Sequence, residues 1–93
     1  MRLTAKERHC ISETIRQADA EARVFLYGSR VDDQAKGGDI DLLVLSRKID
    51  VAAKLEILAR LHRVLGERKI DVVVYPDDTR PFPRLAIQSG VPL

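Results

Sequence analysis

Hydrophobic and polar positions change period along these 93 residues, and each change marks the edge of an element. Thr4-Ala5-Lys6-Glu7 has the Thr-x-x-Glu form of a capping box, so a helix starts at Thr4. Ile11 and Ile15, with Ala18 and Ala22 beyond, keep helical spacing and carry that helix to about Ala20. Its apolar content is low, which suits a covering helix. Arg23 to Tyr27 is a short run of strand formers that Gly28 stops abruptly. Ser29 to Lys36 is polar and suits a short helix with Ser29 near its N-cap, and Gly37-Gly38 supplies a turn.

Asp39 to Leu45 and Lys69 to Tyr75 read as two further strands, the second ended by Pro76. Between them Val51, Leu55, Leu58, His62 and Leu65 recur at helical spacing, with Asp50 as N-cap and Gly66 just past the end. A last short helix is expected from about Pro83 to Ser89, closed by Gly90. Three strands alternating with helices give an α/β (α+β) layer fold: a small mixed β-sheet of about three strands flanked by helices. Residues 1–93 are expected to form a single domain.

Composition narrows the setting. A chain this short buries roughly 60–68% of the surface it exposes when unfolded, enough for one sheet and its covering helices. Tryptophan is absent and aromatic residues are 4%, so the core falls to Leu, Ile, Val and Ala. The net charge of +2 is too small to argue for nucleic acid as the main partner, and no aromatic residues interleave with the basic ones as stacking platforms. Cys10 alone excludes an internal disulfide and fits a reducing, cytoplasmic compartment. No apolar run approaches the ~18 residues of a membrane span, and no signal-peptide pattern opens the chain.

The candidate chemistry lies where the strands break their own preferences. Aspartate is depleted in strands, yet Asp39, Asp41 and Asp71 interrupt apolar strand runs. Alternation puts Asp39, Asp41, Leu43 and Leu45 on one face of their strand, and Asp71, Val73 and Tyr75 on one face of theirs. If the two strands are neighbours, all three carboxylates share a surface. Two carboxylates about 5 Å apart repel by about 3 kcal/mol at an effective dielectric of 20. Such a cluster calls for shared protons or a hard, oxygen-seeking cation, and magnesium suits it. No Cys/His set at ligand spacing points to zinc.

Gly28-Ser29 directly follows an apolar strand. Glycine there admits a phosphate close to the backbone, the Ser29 hydroxyl can donate to it, and Arg30 or Lys36 can neutralise charge. Neither a Walker loop nor a dinucleotide fingerprint is present. His62 reads as a packing residue, and Tyr27 and Tyr75 as packing or edge residues. Arg60, Arg63, Arg68 and Lys69 read as a solvated helix end.

Gly28-Ser29, nine residues, Asp39-Ile40-Asp41-Leu42, and a later strand carrying Asp71 together resemble the polymerase-β-type nucleotidyltransferase superfamily. The tail Leu85 to Leu93 is similar to the end of its small prokaryotic members, the minimal nucleotidyltransferases. That resemblance implies Gly28 and Ser29 on a triphosphate, aided by Arg30 and Lys36. It puts Asp39 and Asp41 on two Mg²⁺ ions, with Asp71 as third carboxylate and activator of the attacking hydroxyl. One departure is visible: many small members read Gly-Ser-Arg-Ala-Arg-Gly, whereas Asp32 here replaces the second arginine.

The same resemblance implies transfer of AMP from ATP to a partner protein. Small members are typically paired with a helical HEPN-family protein in toxin–antitoxin modules, with the nucleotidyltransferase as antitoxin. The shortness of the chain fits an acceptor supplied by that partner, in a homo- or hetero-oligomer. Two alternatives stand beside it: a non-catalytic nucleotide-binding subunit that neutralises a partner, and a small-molecule nucleotidyltransferase of the aminoglycoside-modifying kind.

Overall fold

The computed structural model describes residues 3–28, 40–66 and 68–93. Among them lie three helices and four strands: α1 (Ala5–Ala18), β1 (Arg23–Tyr27), β2 (Ile40–Leu45), α2 (Val51–Leu65), β3 (Ile70–Tyr75), α3 (Pro81–Ser89) and β4 (Val91–Pro92). The strands form one mixed sheet in the order β3-β2-β1-β4. β1 runs antiparallel to β2 and to β4, and β2 runs parallel to β3. A parallel pair needs a crossover, and α2 provides it.

The α1 start follows its sequence signal. Thr4 Oγ1 accepts from the Glu7 amide at 3.0 Å and Glu7 Oε1 accepts from the Thr4 amide at 2.9 Å, completing the capping box. The helix ends at Ala18, two residues short of expectation, because Asp19 turns extended and its side chain is used elsewhere. α2 matches its expected span, with Asp50 accepting from Ala53 as N-cap and Gly66 as C-cap. α3 begins at Pro81 rather than Pro83, since a proline at the first helical position loses no hydrogen bond. β4 adds a fourth strand to the three expected; two residues carry no readable period.

Alternation along the strands divides the core. One face presents Val24, Leu26, Ile40, Leu42, Val44, Ile70 and Val72 to Ile11 and Ile15 of α1 and Ile57, Leu61 and Leu65 of α2. The other carries a smaller cluster of Phe25, Leu43, Leu45 and Ala86 beneath α3. Fully burying a Val, Leu or Ile stabilises by about 1.5–3 kcal/mol, so the helix-covered face dominates stability. Gly90 lets α3 close onto β1: a Cβ there would meet the Ala86 and Leu26 carbonyl oxygens at 2.5 and 2.6 Å.

His62, read as a packing residue, is exposed, and the apolar spacing along α2 does not mark its buried face. Of Val51, Leu55, Leu58, His62 and Leu65, only Leu65 is buried; Leu58 is half-buried, while Val51 and Leu55 are 73% and 60% exposed and His62 is exposed. The buried ridge is Ile57, Leu61 and Leu65, rotated toward α1. A helix with two apolar flanks has one period but two possible inward faces, and contact with α1 selects one.

A buried carboxylate ties the far end of the sheet. Ser46 Oγ donates to Asp19 Oδ2 at 2.6 Å and accepts from the Lys48 and Ile49 amides, both at 3.1 Å. The Glu21 amide donates to Asp19 Oδ1 at 3.0 Å. The Ser46 hydroxyl first, then the Glu21 amide, hold the Asp19 carboxyl below its usual range. A depressed folded value means stabilisation present above the ordinary aspartate range and lost as pH falls through the folded value. Ser46→Ala is therefore expected to lower stability at neutral pH, with its deficit narrowing in acid. Urea unfolding across pH checks this, and a deficit that widens in acid would refute it.

Candidate functional site

The β2–β3 register settles which acidic side chains meet. Ile40 pairs with Ile70, Asp41 with Asp71, and the ladder continues to Leu45 with Tyr75. β1 adds Tyr27 opposite Asp41, so Tyr27, Asp41 and Asp71 form one row across three strands. Ile40 and Ile70 are buried against the helices, so the alternate residues Asp41 and Asp71 face the other side, the side carrying α3. Asp41 is half-buried and Asp71 is exposed.

Gly28 fits against this row in a way no other residue can. Its φ is +83°, in the left-handed region, and a Cβ there would stand 2.8 Å from Asp41 Oδ2. The end of β1 and the start of β2 thus approach so closely that the Asp41 carboxylate takes the space a side chain would need. Asp39, Ser29, Arg30, Lys36 and Asp32 lie outside the described residues, as does the expected short helix from Ser29 to Lys36. The described site is therefore Gly28, Asp41 and Asp71.

Tyr27 is the residue sequence reasoning passed over. Its ring meets Phe82 of α3 edge-on, with centroids 5.5 Å apart, and Phe82 also lies 5.7 Å from Tyr75. Burial first, then the charges of Asp41 and Asp71, push the Tyr27 phenol above its ordinary range. It remains a neutral hydroxyl beside two carboxylates. Its place at the strand end, two positions from the buried Phe25, was the available signal, but only the β1–β2 register puts it level with Asp41.

The donor set suits a hard cation. Adjacent strands are about 4.8 Å apart, which brings the two carboxylate-bearing positions within reach of one ion or of ions sharing a phosphate. Among the described residues no three His, Cys, Asp or Glu side chains gather at metal-binding spacing, and Asp41 and Asp71 are the two carboxylates of the row. A cleft of about 380 Å³ opens at the opposite end of the sheet, but its lining mixes Arg23, Arg47 and Lys48 with Asp19, Glu21, Asp77 and Asp78. Three positive and four negative side chains give that lining an excess of negative charge, which does not suit a phosphate. Arg60 is held by Gln17 and Glu56, and Arg68 by Glu7, consistent with surface pairing of the basic cluster.

Two substitutions test the geometry. Gly28→Ala and Gly66→Ala both place a Cβ at positive φ, costing about 1–2 kcal/mol by urea unfolding; open space surrounds Gly66. Only Gly28→Ala should cost more than this and also displace Asp41; equal costs would refute the contact. In a Tyr75→Phe background, Asp41→Asn is expected to lower the Tyr27 pKa in a UV-monitored alkaline titration. The decrease should be partial, because burial, the larger cause, remains. An unchanged or raised value would disconnect the row.

Comparison with known proteins places the chain in a family. The family model described as "Polymerase beta, Nucleotidyltransferase" matches residues 9–93. No curated protein matches the chain. Among the described residues, no helix is long and apolar enough to cross a membrane.

Proposed function

The chain belongs to the polymerase β nucleotidyltransferase family, and on that premise we propose that it transfers a nucleoside monophosphate, AMP from ATP, to a hydroxyl of a partner protein. The observation that carries this reading is the in-register pair Asp41–Asp71 beside Gly28. Carboxylates on adjacent strands, next to a backbone stripped of its side chain, make a place where a metal-bound triphosphate can lie against the main chain.

In this reading Gly28 and Ser29 cradle the triphosphate, with Arg30 and Lys36 offsetting its charge. Asp39 and Asp41 would hold the Mg²⁺ ions together with phosphate oxygens, and Asp71 would join them. The bound metal supplies charge stabilisation to the entering and leaving oxygens of an in-line displacement. The acceptor oxygen forms its bond to the α-phosphorus as the bond to the bridging oxygen breaks, and pyrophosphate leaves with that electron pair. Asp71, the exposed member of the pair, would take the acceptor's proton. Tyr27, kept neutral, can donate a hydrogen bond in the same row.

The acceptor we propose is a tyrosine of a helical HEPN-family protein, in a toxin–antitoxin pair with this chain as antitoxin. What supports it is the sequence likeness to the minimal nucleotidyltransferases. Labelled ATP, Mg²⁺ and such a partner should yield a labelled partner. Asp41→Asn and Asp71→Asn should each reduce that labelling about 10²–10³-fold, the scale of losing one preorganised electrostatic contact in a transition state. A partner neutralised equally well by Asp41→Asn, with no label transferred, would instead favour a binding subunit without turnover.

A further inference from the structure

Phe82 is the second residue of α3 and stands between two prolines. Pro81 opens the helix and Pro83 is fully buried, so φ is fixed on both sides of Phe82 and its backbone has little freedom. The chain therefore presents this ring at one place. Tyr27 lies on β1 and Tyr75 on β3, with β2 between them in the sheet. Phe82 meets Tyr27 at 84° and leans on Tyr75 at 31°, so it bridges β2 and joins the three rings into one aromatic patch.

The patch is not closed off as core packing would favour. The buried cluster of Phe25, Leu43, Leu45 and Ala86 lies on the same side of the sheet, and Tyr27 and Tyr75 pack against it. Phe82 covers those tyrosines from outside and stays 39% exposed, although full burial of a phenylalanine is favourable. The patch is also continuous with the acidic row. Tyr27 is followed directly by Gly28 in the chain and pairs with Asp41 across the sheet. After burial, the charges of Asp41 and Asp71 and then the Tyr75 phenol act on the Tyr27 phenol, so both phenols and both carboxylates share one neighbourhood.

We propose that Phe82, backed by Tyr27 and Tyr75, is the stacking platform for the base of the nucleotide whose phosphates lie against Gly28 and Asp41, and that it favours purines over pyrimidines. The inference rests on the nucleotidyltransferase reading above. A base is tied to its phosphates through one ribose, so a ring surface that borders the phosphate site is within reach of every nucleotide held there. An acceptor side chain has no such tether. Stacking needs a flat apolar face and no matching of hydrogen-bond edges, so every base can use it. The gain grows with the ring area covered, and a purine covers more than a pyrimidine. Adenine and guanine are treated alike by such a platform. The proline-flanked turn lowers the cost of ordering the ring when the base arrives.

Titration calorimetry of the full chain with Mg²⁺ and ATP, GTP, CTP, UTP or inorganic tripolyphosphate separates the base from the phosphates. ATP and GTP should bind with similar affinity, CTP and UTP more weakly, and tripolyphosphate most weakly. Phe82→Leu keeps an apolar side chain over the tyrosines but removes the flat face. It should weaken ATP binding at least about fivefold, narrow the purine preference and leave tripolyphosphate binding unchanged. Asp41→Asn should weaken ATP and tripolyphosphate together. ATP binding that is lost in Asp41→Asn yet unchanged in Phe82→Leu overturns the platform and leaves the nucleotidyltransferase reading standing. So does a Phe82→Leu chain that binds ATP normally but no longer labels its partner, since the ring would then belong to the acceptor. Equal loss of ATP and tripolyphosphate in Phe82→Leu would make the ring a support of the site and also overturns the platform. A wild-type chain that binds neither ATP nor tripolyphosphate would remove both readings.

Discussion

Six consecutive residue pairs lock β2 to β3 in parallel, from Ile40 with Ile70 to Leu45 with Tyr75, and the position of the acidic pair follows from that ladder. A slip of one residue would turn Asp71 toward α2 and expose Ile70 and Val72. Each lost burial costs on the order of 1.5–3 kcal/mol, and a carboxylate would enter the core without a partner. A slip of two would keep the faces but set Asp41 against Lys69 or Val73. The backbone bonds at both ends, Ile40 to Lys69 and Ser46 to Tyr75, hold against that shift. The hydrophobic core thus fixes the register, and the register assembles the site.

Placing two negative charges on neighbouring strands works against folding, and the surroundings limit the penalty. Asp71 stays in water, where high dielectric weakens the repulsion. Tyr27 remains a neutral phenol beside Asp41. Gly28 yields its side-chain space to the Asp41 carboxylate. The row is therefore tolerable when empty of metal, and a bound cation would turn its repulsion into attraction. Local strain of this sort, at one end of an otherwise regular sheet, is where binding and stability demands conflict.

Much of this was legible because it rests on short-range chemistry. The Thr4 capping box, the Asp50 cap and the strand ending at Gly28 are each determined by neighbours in sequence. Asp41 and Asp71 stood out as charges in apolar strands, and alternation put them on one face once the strands were adjacent. What depended on tertiary choice was not legible. Periodicity could not tell which flank of α2 meets α1: Val51, Leu55 and His62 keep the helical spacing and are exposed. β4 is held by the Leu93 amide bonding to Val24, a contact between residues far apart in the chain. Tyr27 gained its meaning only from the β1–β2 pairing.

The exposed flank of α2 is informative because a sequence does not keep a charge-free helical sector in water without cost. Leu55 at 60% exposure and Val51 at 73% leave a strip unburied, and among the described residues β3 ends the sheet beside it. Each is individually tolerable: surface leucines are common, and edge strands exist in every open sheet. Val51 shares a cleft with Val74 and Pro76, so the two lie side by side. β3 also carries Asp71, so the strand that ends the described sheet supplies the acidic row as well.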